Sequence, residues 1–326
     1  MSETTIRDVA AKAQVSVASV SRILNGLGNV SAKTRERIED AIRDLDYVPH
    51  AGARSLSLSR THAVGVLLPD LHGEFFSEIL RGMDAEANRR GYLLLFSNLH
   101  AGTAQAEAAM RAMRGRVDGL VVMAPHLDEE SITRALPASI KAVLINAPGE
   151  VRSHSNIRID NQAGATAVVG HLRAIGRSRI GYVNGPSGNL DALERLEAFT
   201  AATGNADIVA QGDFTIESGE AAVRQLLASG AAFDALFVAN DMMAIGAMRA
   251  LTEAGLRIPE DVAVAGFDDV PLAVHLHLTT VQVRMAELGA RALSLLVDSL
   301  NDSSKASVLE RHAPELVIRG STVPTA

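Results

Sequence analysis

Between Thr5 and Asn25 the apolar residues fall into two short helical registers parted by a brief turn. Ile6, Val9, Ala10 and Ala13 share one face of a first helix, Val15 sits in the turn, and Val20, Ile23 and Leu24 share a face of a second. Thr5 with Asp8 offers a capping-box-like start, and Ser16 can cap the second helix. Ser31 caps a third, whose Ile38, Ala41, Ile42 and Leu45 close a small core. Two short helices across a tight turn form a helix-turn-helix, and the second is shaped to enter a major groove. Its outer side carries Val17, Ala18, Ser19, Ser21, Arg22 and Asn25. Small residues allow close approach to base edges, and Arg22 can pair bidentately with guanine.

The net charge of −7 argues against a nucleic-acid binder until it is divided along the chain. Residues 1–60 hold nine Lys or Arg against seven Asp or Glu, a net +2, leaving 22 against 31 elsewhere, a net −9. A mildly basic head on an acidic body binds DNA weakly alone, so two heads are expected to act together. The absence of cysteine excludes disulfides, thiolate metal sites and cysteine nucleophiles. The opening Met1-Ser-Glu-Thr-Thr lacks the charged and apolar stretches of an export signal, and no segment is apolar for long enough to span a bilayer, so a cytoplasmic protein is expected.

From Ala63 short apolar runs alternate with helical stretches. Ala63–Leu68, Tyr92–Phe96, Gly119–Met123 and Lys141–Ile145 form a first set, with helices at about 75–90 and 104–114. Arg179–Val183, Ile208–Ala210, Ala235–Ala239 and Val262–Phe267 form a second, with helices at about 161–175, 190–202, 217–229 and 241–254. Near-continuous apolar runs predict parallel strands buried on both faces. The fold class is α/β: a three-helix helix-turn-helix domain, then two doubly wound parallel-sheet lobes with a cleft at the strand C-termini. A strand near Thr279–Val283, a helix at about 285–300 and a strand at Glu315–Ile318 complete the chain.

The head resembles the LacI/GalR family of transcription regulators through Asp8-Val9-Ala10, Val15-Ser16, Val20-Ser21-Arg22, Asn25, Val30-Ser31-Ala32-Lys33-Thr34-Arg35, Tyr47, Pro49 and Ala53-Arg54-Ser55-Leu56. The body is similar to the same family at Val117-Asp118-Gly119-Leu120, Arg195-Leu196-Glu197-Ala198-Phe199, Ala239-Asn240-Asp241-Met242, Ile258-Pro259-Glu260-Asp261 and Gly266-Phe267-Asp268-Asp269. The resemblance implies a head at 1–60 with a hinge helix at about 50–58, and a periplasmic-binding-protein-like sensor at 61–326. Lobe 1 would span about 61–160 and 284–314, and lobe 2 about 161–283 and 315–326. Tail segments would cross back between lobes, so that three crossovers make a hinge. DNA contact is expected at Ser16, Val17, Ala18, Ser21, Arg22, Asn25, Ala53 and Leu56, with Leu56 wedged into the minor groove.

Asp268 ends a buried strand and is expected to point into the crevice. Arg195 matches a ligand-contacting arginine of the family, and Asn189 and Asp191 match contact positions. Phe75 and Phe214 match aromatic positions that stack on a ligand ring. Of Asn240 and Asp241, one must cap the following helix, leaving the other, taken as Asp241, to face the cleft. Gln282 lies on a crossover strand, where a bridging amide would sense closure. Asn146 departs from the family, many of whose members carry aspartate there.

No nucleophile–base pair or acid–base dyad points to an enzyme, and no cofactor is expected. Pro69–Glu74, after the first strand, is too poor in glycine for a dinucleotide loop. His275 and His277 lack the companions of a metal site. A solute-binding protein would leave the helix-turn-helix unexplained. The expected function is a DNA-binding repressor of a carbohydrate-utilisation operon, homodimeric on a pseudo-palindromic operator and released by a sugar. The alternative is a corepressor-dependent regulator that takes a purine-like or other non-sugar metabolite.

Overall fold

The computed structural model describes residues 4–25, 30–48, 60–70, 73–99, 103–136, 140–149, 154–204, 208–302 and 304–323. The expected hinge helix, with Ala53 and Leu56, lies outside the described residues. Residues 1–63 with 116–118 form one compact unit, and the rest of the chain forms the other.

In the first unit, α1 (Ile6–Ala13), α2 (Val17–Leu24) and α3 (Ala32–Asp44) enclose a core of Val9, Ala10, Ala13, Val20, Ile38 and Ala41. The Asp8 carboxylate accepts from both the Thr5 N–H and the Thr5 hydroxyl, which starts α1. Gln14 ends α1 in the left-handed region at φ 52°, and Ser16 accepts the Ser19 N–H to open α2. Arg37 of α3 donates to the Ala13 and Gln14 carbonyls, covering the orphan acceptors at the end of α1.

In the second unit, β1 (Ala63–Leu68), β2 (Leu93–Asn98), β3 (Gly119–Met123), β4 (Lys141–Ile145), β5 (Ser155–Ile159) and β11 (Leu309–His312) make one sheet, ordered β11-β5-β4-β3-β1-β2. A second sheet runs β7-β6-β8-β9, from β6 (Ile180–Asn184), β7 (Val209–Gln211), β8 (Ala235–Val238) and β9 (Ala263–Ala265). The recorded pairings within both sheets are parallel, as the apolar runs predict. One expectation fails at β2, where Leu93, Leu95 and Phe96 are 72%, 38% and 46% exposed. The strand lies at the sheet edge, so only part of its apolar surface is covered. Its unbroken hydrophobicity therefore does not mark burial on both faces. The strand β11, with its exposed Leu309 and its charged Glu310 and Arg311, carries no apolar run and went unread in the sequence.

The helices α4 (Glu74–Arg90), α5 (Thr103–Met113) and α6 (Glu129–Ala135) belong to the six-stranded layer. The four-stranded layer carries α7 (Asn161–Ala174), α8 (Leu190–Thr203), α9 (Ile216–Ala228), α10 (Asp241–Glu253) and α11 (Pro271–His275). The chain passes from one layer to the other at Asp160. It returns after β10 (Thr280–Gln282) through α12 (Met285–Asn301), then crosses once more to β12 (Glu315–Val317), antiparallel to β10. α12 packs on α4 backbone to backbone. A Cβ on Gly82 would lie 1.9 Å from the Ala286 carbonyl oxygen, and one on Gly289 would lie 2.1 Å from that of Ile79. Only glycine permits that approach.

Candidate functional site

Two regions collect the residues singled out by sequence. On α2 the structure leaves Ser16, Val17, Ala18 and Arg22 exposed and Ser21 and Asn25 half-buried, while Val20 goes to the core. Asn25 donates to the Ser21 hydroxyl at 3.3 Å, which orders the end of the helix. This side of α2 is the one kept out of the three-helix core.

In the second unit a cleft of about 290 Å³ opens at the C-terminal ends of the strands of both sheets. Ligands of doubly wound folds occupy such crevices, because loops diverge there and helix N-termini face inward. Phe75, Asn189, Asp191, Arg195, Phe214 and Asp268 all line it, brought together from four separate segments. Phe76 lines it too, edge-on to Phe75 with ring centroids 5.3 Å apart. Nothing in the sequence singles out Phe76, since adjacent residues on a helix usually diverge. At the first turn of α4 both rings reach the opening.

Arg195 is held on every side. Its Nε donates to Asn161 at 2.8 Å, Nη1 donates to the Ala239 carbonyl, and Nη2 stands 3.6 Å from Asp268. Its guanidinium lies 3.7 Å over the Phe267 ring, a cation–π contact. Asp268 is 4% exposed, and its Oδ1 has no hydrogen-bond partner among the described residues. Burial raises its carboxyl well above the usual range, and Arg195 opposes that only in part. Asp191 accepts from Asn161 at 2.8 Å and from Asn146 at 3.2 Å. Asp70, Asp213 and Glu217 add further carboxyl groups to the lining.

Backbone strain gathers here as well. Asn146, Phe214, Asp268 and Asp269 all take positive φ, at 49°, 72°, 117° and 57°. Such conformations cost about 1–3 kcal/mol each and persist only where surrounding contacts over-determine them. At Asp268 the N–H donates to Val281 and the carbonyl accepts from Val283, so the crossover strand fixes the strained residue.

Two of the expected cleft residues lie elsewhere. Asp241 is fully buried and accepts from the Thr280 hydroxyl and the Val270 N–H, so its carboxyl ties α10 to the crossover strand. Burial pushes its pKa up to about 7, against the opposing hydrogen bonds from Thr280 and Val270. Asn240 faces the cleft instead and also caps α10: Oδ1 accepts from Met243 N–H and Nδ2 donates to the Phe214 carbonyl. An amide serves both roles at once because it has a donor and an acceptor end. Gln282 turns from the cleft to donate to Asp269 at 2.8 Å, and Asp269 also pairs with Arg319 at 2.7 Å. Among the described residues no group of three His, Cys, Asp or Glu could hold a metal ion, and no helix is long and apolar enough to cross a membrane.

Comparison with known proteins agrees over the chain's length. Residues 5–50 match the model of bacterial regulatory proteins of the lacI family, and residues 169–322 match that of a periplasmic binding protein-like domain. The ribose operon repressor of Halalkalibacterium halodurans is 33% identical, with 98% of this chain and 97% of that one covered. The HTH-type transcriptional repressor CytR of Escherichia coli K12 is 32% identical, with 98% and 96% covered. A crystal structure of the Lac repressor dimer bound to operator and the anti-inducer ONPF superposes with a TM-score of 0.91, at 29% identity over 98% of this chain and 99% of that one. The transcriptional regulator CelR in complex with cellobiose gives 0.72, at 30% identity over 98% and 100%. With a helix-turn-helix head and a two-sheet sensor, each matched in sequence and in fold, the chain belongs to the LacI family of DNA-binding bacterial regulatory proteins.

Proposed function

We propose that this protein is a cytoplasmic transcriptional repressor, without catalytic activity, whose α2 reads operator DNA and whose cleft takes a neutral polyhydroxylated effector. The observation that carries the effector class is the cleft lining. Phe75, Phe76 and Phe214 offer apolar faces, while Asn189, Asn240, Asp191 and Asp268 offer hydrogen-bonding groups. That is the pairing a sugar ring needs, with apolar C–H faces and hydroxyl edges. Among the described residues Arg195 is the only cation of the lining, and it is already engaged by Asn161, Ala239 and Asp268. An anionic ligand would meet Asp70, Asp191, Asp213, Glu217 and Asp268 without a free counter-charge among the described residues of the lining. The volume, at the lower end of the roughly 300–1,000 Å³ of small-molecule sites, favours a mono- or disaccharide. A relative named for ribose regulation and a solved relative holding cellobiose support the same class.

The working unit is a homodimer on a two-fold operator, since one head of net charge +2 is a poor DNA binder. The dimer contact is expected on the lobe faces at the helices near 75–90 and 285–300, and the exposed Leu93, Leu95 and Phe96 of edge strand β2 support a contact on the side of α4. A thermal-shift screen of neutral sugars, sugar phosphates and nucleobases tests the cleft, because a ligand of the native state raises the melting temperature. Neutral sugars should raise it and release the protein from operator DNA in fluorescence anisotropy. Asp268→Ala should bind operator and no longer be released. A nucleobase that stabilises the protein and tightens DNA binding would replace the sugar reading with the corepressor one.

A further inference from the structure

The floor of the cleft contains a bond that joins the two sheet layers. Asn146 directly follows β4, and its Oδ1 accepts the Ile159 N–H at 3.0 Å. That bond fixes the amide's orientation, and Nδ2 then donates across to Asp191 Oδ2 at 3.2 Å. The other Asp191 oxygen takes Asn161 Nδ2 at 2.8 Å, and Asn161 is the first residue of α7, just past the Asp160 crossover. Asn161 Oδ1 in turn takes Arg195, which faces Asp268. One turn along α8, Glu194 pairs with Arg158 of β5 and accepts from Asn161 at 2.9 Å. Asp191 is 6% exposed and Asn146 2% exposed.

A carboxylate only accepts, and an amide nitrogen only donates. The Asn146–Asp191 contact is therefore directional, and it exists only while the two layers stand at this separation. We propose that Asn146 is a positioning residue, the six-stranded layer's half of a latch that holds Asp191, and through Asn161 the Arg195–Asp268 pair, when the lobes are closed. The proposal rests on the reading of the cleft as an effector site. Asp191 keeps lone pairs for a ligand hydroxyl, so ligand and latch share one carboxylate and occupancy is coupled to lobe angle.

The test needs no effector. The chain has no cysteine, so E130C and E197C, at exposed positions of α6 and α8, give a unique spin-label pair across the layers. Double electron–electron resonance, with labelled chain diluted in unlabelled chain, reads the distance within one subunit. In N146D two carboxylates face each other, with Glu194, Asp268, Arg158 and Arg195 as the neighbouring charges. The mean distance should lengthen by several ångströms at about pH 8 and recover on acidification to about pH 5, where one proton is shared. N146A should lengthen it at both pH values. N146D/D191N reverses donor and acceptor and should return the parent distance at both.

An unmoved distance in N146D and N146A, a pH-independent change in N146D, or a double variant as open as N146D would overturn the latch. If N146D does not fold, N146A and the double variant decide. A cleft that opens as expected yet takes no sugar refutes the effector reading alone. A sugar-binding cleft with unmoved distances refutes the latch alone.

Discussion

The head and the cleft use opposite strategies to present functional side chains. On α2, Ser16, Val17, Ala18 and Arg22 are what remains outside a small core, exposed and lightly bonded. In the cleft, Asp191, Arg195 and Asp268 are almost wholly buried and wired to one another before any ligand arrives. A surface that meets a large, charged partner gains most of its energy on contact, so it needs little preorganisation. A cleft for a small ligand must fix its few polar groups in advance, because the ligand brings too little binding energy to order them. Substitutions should therefore act on stability in the cleft and on affinity in the head.

The largest expected effect is at Arg195. Removing one partner from a buried ion pair leaves the other charge uncompensated, a cost of about 3–5 kcal/mol. Arg195→Ala also orphans Asn161 and the Ala239 carbonyl. Hydrogen exchange should show protection lost in α7, α8 and β8, with α1–α3 unchanged. Equal loss in the head would break the contrast.

Arg22→Ala should do the reverse. A base-contacting arginine costs about 1–3 kcal/mol of operator affinity when removed and leaves random-DNA binding nearly intact. Because Arg22 is exposed, the melting temperature should not move. Anisotropy titrations on operator and random DNA separate the two outcomes. Equal losses on both would reassign Arg22 to phosphate contact.

How much could be read in advance follows the same division. The head is held by contacts within and between three consecutive helices, so Val9, Ala13, Val20 and Ile38 mark its core through helical spacing alone. The parallel sheets were legible as apolar runs, and six of the eight expected cleft residues share one lining. What escaped was decided by tertiary placement. The runs at β2 and β3 look alike in sequence, yet β2 is an edge. Asn240 and Asp241 both suit a cap, and the choice is made by Gly266, whose missing side chain leaves room for the Asp241 carboxyl; a Cβ there would lie 2.2 Å from Asp241 Oδ1. Asn146 and Asp191 are 45 residues apart, and no local pattern announces their pairing.

Asp241 gives a smaller effect with a definite sign. Its carboxyl, near pKa 7 when folded, holds a proton that the unfolded chain releases near 3.9. Between about pH 4 and 7 the native state binds more protons, so stability falls as pH rises through that window. In D241N the group no longer titrates and the slope should flatten. Asp268, also raised, contributes with the same sign, so some slope should remain. Urea midpoints across that window check the slope, and a slope equal to the parent's would place the titration elsewhere.

The smallest effect compares one chemical role in both regions. Ser31 caps α3 through its hydroxyl, which accepts the Thr34 N–H at 3.3 Å, and the site is exposed. Ser31→Ala should cost about 1 kcal/mol, confined to the head. Asn240 caps α10 in the same way, but its amide also holds the strained Phe214 through the carbonyl at 3.2 Å. Asn240→Ala should therefore cost more than the serine cap and also loosen the Phe214 face of the cleft. Hydrogen exchange at Thr34 and at Met243 reads each cap locally, since these are the amides the two side chains protect. If the two alanine variants lose the same protection, and the cleft responds to ligand equally in both, Asn240 is only a cap. The cleft then owes nothing to it, and preorganisation of the Phe214 face must come from the Asp213–Thr215 turn, where Asp213 accepts from the Thr215 N–H at 3.0 Å.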